Sequence, residues 1–225
     1  MVLIFDLDDT LYDELSFVES GLRAVANFGE NTFGWDARQS FDFMKSHLVL
    51  YGRGSIFDEW LRAYGRHSPT WVALCVKVYR HHQPDIKLFP TALKILKQYR
   101  GKWPMYLVTD GHKIVQKNKV DTLNLEPFFK RAFITHRFGI QKAKPSLHCF
   151  EIIRRAENCR WSDMVYVGDN PAKDFVNLNK IGAMTVRVNT GSYASTVVSS
   201  DYDGRLKIPD LSSLPLVLEQ WRQSQ

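Results

Sequence analysis

The chain has 225 residues, of which 44% are hydrophobic, 13% aromatic and 24% charged. This length and composition fit one large globular domain or a core domain with an insertion, and they exclude collagen-like, disordered and coiled-coil proteins. The net charge of +6 suggests an anionic partner, either a nucleic acid or a small phosphorylated molecule. The three cysteines form no CxxC pair, and no apolar run reaches the length of a membrane span, so we expect a cytoplasmic protein without a disulfide framework.

The charges are distributed unevenly along the chain. Residues 1–14 contain five acidic and no basic residues, whereas residues 111–160 contain eleven basic and four acidic residues. The acidic segment would repel a nucleic-acid backbone, because like charges repel. The total charge therefore does not choose between the two kinds of partner, and a local function is expected for the N-terminal acids.

Strand-like and helix-like segments alternate along most of the chain. Apolar runs typical of strands buried on both faces occur at 2–7, 103–109, 132–135, 164–168 and 184–188. Amphipathic helical segments occur at 91–99, 113–123, 147–156 and 172–181. Because strands separated by helices pair in parallel with right-handed crossovers, the sequence predicts an α/β fold with a doubly wound, Rossmann-like parallel sheet.

The segment between the first strand and the following helix is too long for a normal crossover. It lacks a convincing strand and contains helical stretches at 15–27, 37–48, 55–64 and 69–81. We therefore predict a catalytic core formed by 1–14 and 88–225, and an all-helical insertion at 15–87. Doubly wound sheets bind ligands at the carboxyl ends of their strands, so an insertion that leaves from this end can act as a lid. Near the C-terminus, 192–209 is predicted as loop and about 212–223 as a short helix.

Two aspartates lie at the end of the first predicted strand at a spacing of two residues. In an extended chain, residues i and i+2 project to the same side, so Asp6 and Asp8 would converge. Two close carboxylates repel each other unless a cation or a shared proton offsets the repulsion, and their oxygens suit a hard cation such as Mg²⁺. An Asx-rich turn that caps the next helix is the alternative for this motif taken alone.

Three further polar motifs lie at or near the ends of later elements. Thr109 ends the second strand and Gly111 follows it, so that a hydroxyl and backbone N–H groups there could cradle a phosphate. Lys144 precedes a helix and could offset charge on a phosphoryl group, while Asp169 and Asp174 follow the fourth strand. A plain strand-to-helix turn, a solvated lysine and a capping turn remain the alternatives for these motifs taken singly.

The order of these motifs is more specific than any one of them. FDLDDTL, a strand that ends in Thr109, KPS and GDNPAKD together resemble the four motifs of the haloacid dehalogenase-like (HAD) hydrolase superfamily. The helical insertion between the first two motifs resembles the C1-type cap of its phosphatase branch. Only 32 residues separate Gly111 from Lys144, which leaves no room for the alternative cap position of that superfamily.

The resemblance implies a role for each carboxylate at the first and last motifs. Asp6 would be the nucleophile that becomes an aspartyl phosphate, and Asp8 the general acid and then base. The resemblance also implies Mg²⁺ as cofactor, held by Asp6, the backbone carbonyl of Asp8 and Asp169. The dehalogenase branch lacks a second aspartate at the position of Asp8, so its presence favours phosphoryl chemistry.

The remaining site residues would bind phosphate or support the loops. Thr109 and Asp110, through the hydroxyl and nearby backbone N–H groups, would hold the phosphoryl oxygens, and Lys144 would balance charge in the transition state. Thr10 would brace the first loop, and Asp174 would support the metal site or hold Lys144.

The sequence therefore predicts an enzyme, a Mg²⁺-dependent phosphatase that hydrolyses a small phosphomonoester of the sugar phosphate or nucleotide class. A phosphomutase on the same scaffold, or a non-catalytic regulatory protein that binds a phosphorylated ligand, are the alternatives. Nucleic-acid binding would depend only on the basic stretch 111–160 and is not expected, nor is a membrane partner. The sequence leaves open whether the protein is a monomer or a homodimer.

Overall fold

The computed structural model describes residues 1–223, which form six β-strands and nine α-helices. The strands are β1 (Val2–Phe5), β2 (Met105–Thr109), β3 (Arg131–Ile134), β4 (Met164–Gly168), β5 (Met184–Val188) and β6 (Leu206–Ile208). The helices are α1 (Glu14–Phe33), α2 (Ala37–Tyr51), α3 (Ile56–Ala63), α4 (Pro69–His81), α5 (Pro90–Tyr99), α6 (Lys113–Thr122), α7 (His148–Ala156), α8 (Val176–Lys180) and α9 (Leu214–Gln223). None of the helices within the described range is long and apolar enough to cross a membrane.

The six strands form one sheet in the order β3-β2-β1-β4-β5-β6, and every neighbouring pair is parallel. The predicted doubly wound α/β fold is confirmed. Strands β1, β2, β4 and β5 are buried along their whole length, which explains their continuous apolar sequences. On one face, Ile4 and Val108 contribute to a core with Phe150 and Ile153 of α7. Because residues alternate across a strand, Leu3 belongs to the opposite face.

The register of the central strands decides where the polar motifs meet. Phe5, the last residue of β1, pairs with Leu107 of β2 and Val167 of β4. The chain winds outward from β1 in both directions, so the order reverses at the centre of the sheet. In such sheets the crevice for ligands lies outside the carboxyl ends of the strands at this reversal.

Two parts of the sequence-based assignment differ from the structure. Strand β6 lies within the segment 192–209 that was predicted as loop, and this prediction is wrong for its three residues. Two of them are exposed, so no apolar pattern marks the strand, and its pairing with β5 creates it. Helix α8 is shorter than the predicted 172–181: the residues before it form a separate turn, in which the backbone N–H of Asp174 bonds to the carbonyl of Asn170.

The chain divides into two compact units. One contains Met1–Glu14 and the chain from Lys87 onward, including the sheet, and the other is Leu15–Ile86. The second unit is helical and has its own core, in which Trp60 is fully buried and packs edge to face on Trp35 with ring centroids 5.1 Å apart. The action of this unit as a cap stays a prediction.

A buried arginine fixes the polar segment between β5 and β6. The Arg187 guanidinium pairs with Asp203 at 3.1 Å and donates hydrogen bonds to the carbonyls of Tyr193 (2.5 Å) and Thr196 (2.9 Å). Both members of the ion pair are buried, so each needs the other to compensate for lost hydration. The segment consequently follows one path although it has few apolar residues.

We expect Arg187→Met to lower the free energy of unfolding by about 3 kcal/mol, because it removes the buried cation from Asp203 and the donors to the carbonyls of Tyr193 and Thr196, and leaves only the exposed Lys207 paired with Asp203. Urea denaturation would measure the change. Arg205→Met is the matched control, since Arg205 is exposed and its bond to the carbonyl of Asn179 lies at the surface; we expect less than about 1 kcal/mol. Equal midpoints for the two variants would contradict this account.

Candidate active site

The polar motifs converge at the carboxyl edge of the sheet, around a cavity of about 180 Å³. The three strands β1, β2 and β4 end side by side, and the residues that follow each strand face the same crevice. The cavity is lined by Asp6, Asp8, Asp9, Glu14, Asp110, Asp169, Asn170, Lys173 and Tyr193. All of these residues belong to the unit that contains the sheet. Most of the sequence-predicted site is therefore brought together in one place.

Three buried carboxylates form the centre of the site. Asp6, Asp169 and Asp174 each offer an oxygen within 4.8 Å of the other two. The ammonium group of Lys144 lies 2.9 Å from Asp6 Oδ1 and 2.7 Å from Asp174 Oδ1, with its side chain almost completely buried. Lys144 also donates a hydrogen bond to the hydroxyl of Tyr166 at 2.9 Å. One cation thus contacts two of the three carboxylates directly.

The electrostatics of this cluster show an excess of negative charge. Burial raises the pKa of Asp6 to about 7, although Lys144 opposes the shift. Burial, followed by repulsion from Asp6 and Asp174, raises the pKa of Asp169 to about 9. The pKa of Lys144 is raised well above its usual value, since the neighbouring carboxylates outweigh the effect of burial. A further cation would relieve the repulsion that remains.

The carboxylates differ in how much of their hydrogen-bonding capacity is used. Asp174 Oδ1 accepts from Lys144 and from the Tyr166 hydroxyl, and its Oδ2 accepts from the backbone N–H of Asn170 at 2.9 Å. A Cβ atom at Gly168 would lie 2.5 Å from Asp174 Oδ2, so glycine is needed for this approach. Asp174 therefore contacts both Lys144 and the turn, and its supporting role in the site stays a prediction.

Asp6 and Asp169 have oxygens that remain available to a metal ion. Besides the Lys144 ion pair, Asp6 Oδ1 has no hydrogen-bond donor, and Asp169 Oδ1 receives only a long contact of 3.5 Å from the Thr10 hydroxyl among the described residues. Carboxylate oxygens at a site with excess negative charge fit a hard divalent cation such as Mg²⁺. The bracing role of Thr10 stays a prediction.

Asp8 is held apart from this cluster by three donors. Its Oδ1 accepts from the Lys119 ammonium (2.6 Å) and the Tyr12 hydroxyl (2.6 Å), and its Oδ2 accepts from the Gln116 amide (2.8 Å). Burial acts to raise the pKa of Asp8, but the charge and hydrogen bond of Lys119, with the other two bonds, lower it below the usual range. The side chain of Asp8 is therefore engaged elsewhere, and its predicted part in metal binding concerns only the backbone carbonyl.

At the end of β2, the side chain and the backbone of Asp110 have different surroundings, and this affects its predicted role in phosphate binding. The Asp110 carboxylate accepts from the Thr135 hydroxyl (2.6 Å) and the Lys144 backbone N–H (3.1 Å), and it pairs with Lys173 at 3.2 Å. These contacts organise the loops, and a carboxylate would repel phosphate. Any contact of Asp110 with phosphate must use its backbone N–H. Thr109 is fully buried beside it and accepts a hydrogen bond from Gln116.

A third aspartate of the first motif has a structural role that sequence reasoning did not assign. Asp9 adopts a left-handed backbone with φ of 53°. Its carboxylate accepts from the backbone N–H groups of Glu14 (2.9 Å) and Ser192 (3.0 Å), and its carbonyl accepts from the Thr190 hydroxyl. A Cβ atom at Gly191 would lie 2.0 Å from Asp9 Cγ. Asp9 thereby joins the first loop to the loop after β5.

The residues missed by the sequence analysis are Tyr12, Gln116, Lys119, Lys173 and Asp9. Only the helical spacing of three residues between Gln116 and Lys119 gave a signal, because residues i and i+3 share a face of α6. The sequence does not tell which face of that helix points toward the strand ends.

Comparisons with known proteins address the family of this chain. A family model described as haloacid dehalogenase-like hydrolase matches residues 1–176, and one described as HAD-hydrolase-like matches residues 142–214. The chain is 29% identical to glyceraldehyde 3-phosphate phosphatase from Methanocaldococcus jannaschii, over 85% of this chain and 86% of the relative. It is 25% identical to pyrimidine 5'-nucleotidase YjjG from Escherichia coli, over 83% of this chain and 85% of the relative.

A solved structure shares the fold across nearly the whole length. This is the crystal structure of the putative HAD-hydrolase YfnB from Bacillus subtilis bound to magnesium. It superposes with a TM-score of 0.70 and 20% sequence identity, and the match covers 96% of this chain and 97% of that one. The resemblance seen in the motifs is confirmed. With the family model covering most of the chain and both end motifs placed at one crevice, the protein belongs to the haloacid dehalogenase-like hydrolase family.

Proposed function

We propose that this hydrolase is a Mg²⁺-dependent phosphatase, which cleaves a small phosphomonoester through an aspartyl-phosphate intermediate. The observation that carries the proposal is the pairing of a buried Asp6 with Lys144 beside Asp169, while Asp8 is held separately at the same cavity. This arrangement offers a nucleophile, a charge-balancing cation, a metal ligand and a separate proton-transfer group. The named relatives include a phosphatase of a triose phosphate and a nucleotidase.

In the first half-reaction, Asp6 attacks phosphorus and the bond to the leaving oxygen breaks. Lys144 stabilises the negative charge that develops on the transferring group. Asp8 gives a proton to the leaving alcohol. The charge of the bound phosphate favours the protonated form of Asp8, which offsets the effect of its three donors.

In the second half-reaction, water hydrolyses the aspartyl phosphate. Asp8 accepts a proton from this water, and the phosphorus–oxygen bond to Asp6 breaks so that the free carboxylate returns. Thr109 and the backbone N–H groups of its loop hold the phosphoryl oxygens, and the Asp110 carboxylate keeps that loop in place through Thr135.

The residues that would hold Mg²⁺ are Asp6 and Asp169, with the backbone carbonyl of Asp8 as the third protein ligand that the family resemblance implies. When bound, the ion supplies positive charge that screens the nucleophile from the anionic substrate. Asp174 does not bind the ion in this proposal, because its oxygens are occupied by Lys144, Tyr166 and a backbone N–H.

The cavity and the relatives support a proposal for the substrate class. A volume of about 180 Å³ with mostly polar lining suits a phosphoryl group attached to a short hydroxylated chain. Asp8 favours an ester over a halide, because an alkoxide leaving group needs a proton and a halide does not. We propose a sugar phosphate of triose size as the first substrate to test, with nucleoside monophosphates as the second.

Removal of the nucleophile is expected to abolish turnover. With Mg²⁺ and a panel of sugar phosphates and nucleoside monophosphates, we expect Asp6→Asn to lose at least roughly 10³-fold in kcat, since the covalent step is lost. Phosphate release would be measured. Asp13→Asn is the control, since Asp13 is exposed in the same acidic segment and should keep wild-type rates. Equal turnover by wild type and Asp6→Asn would exclude the proposed function.

The raised pKa values also predict how stability depends on pH. The pKa values of Asp6 and Asp169, about 7 and about 9, lie above the ordinary 3.8, so the folded state binds more protons than the unfolded state. In EDTA, the free energy of unfolding should therefore fall as the pH rises from about 4 to about 9. Urea denaturation at several pH values would measure this slope, and Asp169→Asn should flatten it.

Mg²⁺ should offset this loss, because it binds the folded state when both carboxylates are ionised. We expect a larger rise in the unfolding midpoint at a pH of about 8 than at about 5, since protons compete with the ion. Asp169→Asn should respond weakly, and Asp13→Asn like the wild type. A wild-type midpoint insensitive to Mg²⁺ at the higher pH would argue against the proposed metal site.

A further inference from the structure

We propose that Lys119 is a positioning residue, which together with Gln116 orients the Asp8 carboxylate to deprotonate water in the second half-reaction. Neither residue belongs to the four motifs, and both lie on α6. The inference rests on the proposed function, because it assigns a step of that reaction to contacts outside the motifs.

The two oxygens of Asp8 are fixed by different donors. Lys119 Nζ lies 2.6 Å from Oδ1, and Gln116 Nε2 lies 2.8 Å from Oδ2. The Tyr12 hydroxyl also donates to Oδ1, at 2.6 Å. Because donors hold both oxygens, rotation of the carboxylate about its own axis would break at least one strong bond. The plane and direction of the group are consequently determined by α6 and Tyr12.

Burial shows that Lys119 is more than a surface lysine near an acid. Its side chain is 3% exposed, while that of Lys117 on the same helix is 52% exposed and pairs with Asp121 at the surface. A buried ammonium group requires nearby acceptors, because its hydration is lost. Asp8 is the closest, and Glu14 Oε1 lies further away at 3.9 Å. Of the three lysines of α6, Lys119 thus points to the site, whereas Lys113 and Lys117 are exposed.

Gln116 connects the base to the phosphate-binding loop. Its amide nitrogen donates both to Asp8 Oδ2 and to Thr109 Oγ1, the latter at 2.5 Å. Since Thr109 Oγ1 accepts this bond, its own proton is left for another acceptor, such as a phosphoryl oxygen. Gln116 therefore sets the position of Asp8 relative to the group that the water must attack.

The hydrogen-bond donors around Asp8 favour its ionised form, which is the form needed in the second half-reaction. An ammonium group has no lone pair, and the Gln116 nitrogen only donates, so both fit a carboxylate that accepts at both oxygens. That form of Asp8 is the base. In the step, the water oxygen bonds to phosphorus while its proton passes to Asp8. The phosphorus–oxygen bond to Asp6 breaks, and its electron pair restores the Asp6 carboxylate.

The test uses the full chain with Mg²⁺ and p-nitrophenyl phosphate, whose leaving group departs without a proton. Formation of the intermediate with this substrate does not need Asp8 as acid, so kcat/KM should stay within about threefold of wild type in Lys119→Met. Decay of the intermediate should slow at least about tenfold, which lowers kcat and KM together. A burst of p-nitrophenolate and the mass of acid-quenched phosphoenzyme would measure formation and decay.

Matched variants separate positioning from a general loss of structure. Lys117→Met should leave both half-reactions unchanged, since its partner lies at the surface. Lys119→Arg, which keeps a charged donor, should recover part of the decay rate. If Lys119→Met does not fold, Lys119→Gln is judged by the same criteria. An equal fall of kcat/KM and kcat, or decay at the wild-type rate, would overturn the inference.

The outcome also distinguishes this inference from the proposed function. A wild-type enzyme that forms no phosphoenzyme would overturn the proposed function and the inference together. A wild-type intermediate whose decay is unaffected by Lys119→Met would overturn the inference alone. Slow decay in Lys119→Met with unchanged kcat/KM, and normal decay in Lys117→Met, would support it.

Discussion

The structure around the carboxyl edge of the sheet depends on how the negative charge of its buried carboxylates is compensated. One carboxylate oxygen from each of Asp6, Asp169 and Asp174 lies within 4.8 Å of the other two, and the buried Lys144 pairs with two of these carboxylates, Asp6 and Asp174. Burial and mutual repulsion raise the pKa values of Asp6 and Asp169, so additional positive charge near the cluster would stabilise the ionised carboxylates. In the proposed mechanism, a bound Mg²⁺ would supply this positive charge beside the nucleophile.

The surrounding structure supplies the support that this cluster requires. Lys144 is held from two directions, since its ammonium contacts Asp174 and its backbone N–H donates to Asp110. Asp110 in turn pairs with Lys173, which follows β4 in the same motif as Asp174. The loops after β2 and β4 are therefore linked by ion pairs, and Gly168 leaves room for the closest approach. Displacement of one loop would disturb all of these charges.

The sequence allowed prediction of those features that depend on local pattern. Asp6 and Asp169 directly follow buried apolar strands, so their meeting at one edge follows from parallel pairing alone. Lys119 has no such signal, because a lysine on a helix is ordinarily solvated and only the packing of α6 buries it. Strand β6 was missed for a similar reason: its three residues become a strand by pairing with β5. The features that the sequence did not reveal, the burial of Lys119 and strand β6, are thus determined by tertiary packing.

Tertiary packing also explains the uneven distribution of charge along the chain. Within the basic stretch 111–160, Lys144 and Lys119 are buried against the carboxylates of the acidic N-terminal segment, Asp6 and Asp8. Surface members such as Lys117 and Lys130 pair with nearby acids of their own stretch. Residues 1–14 and 111–160 thus compensate each other inside the fold. The net charge of +6 is then no measure of attraction for a polyanion, because Lys144 and Lys119 are already paired with carboxylates of the acidic segment.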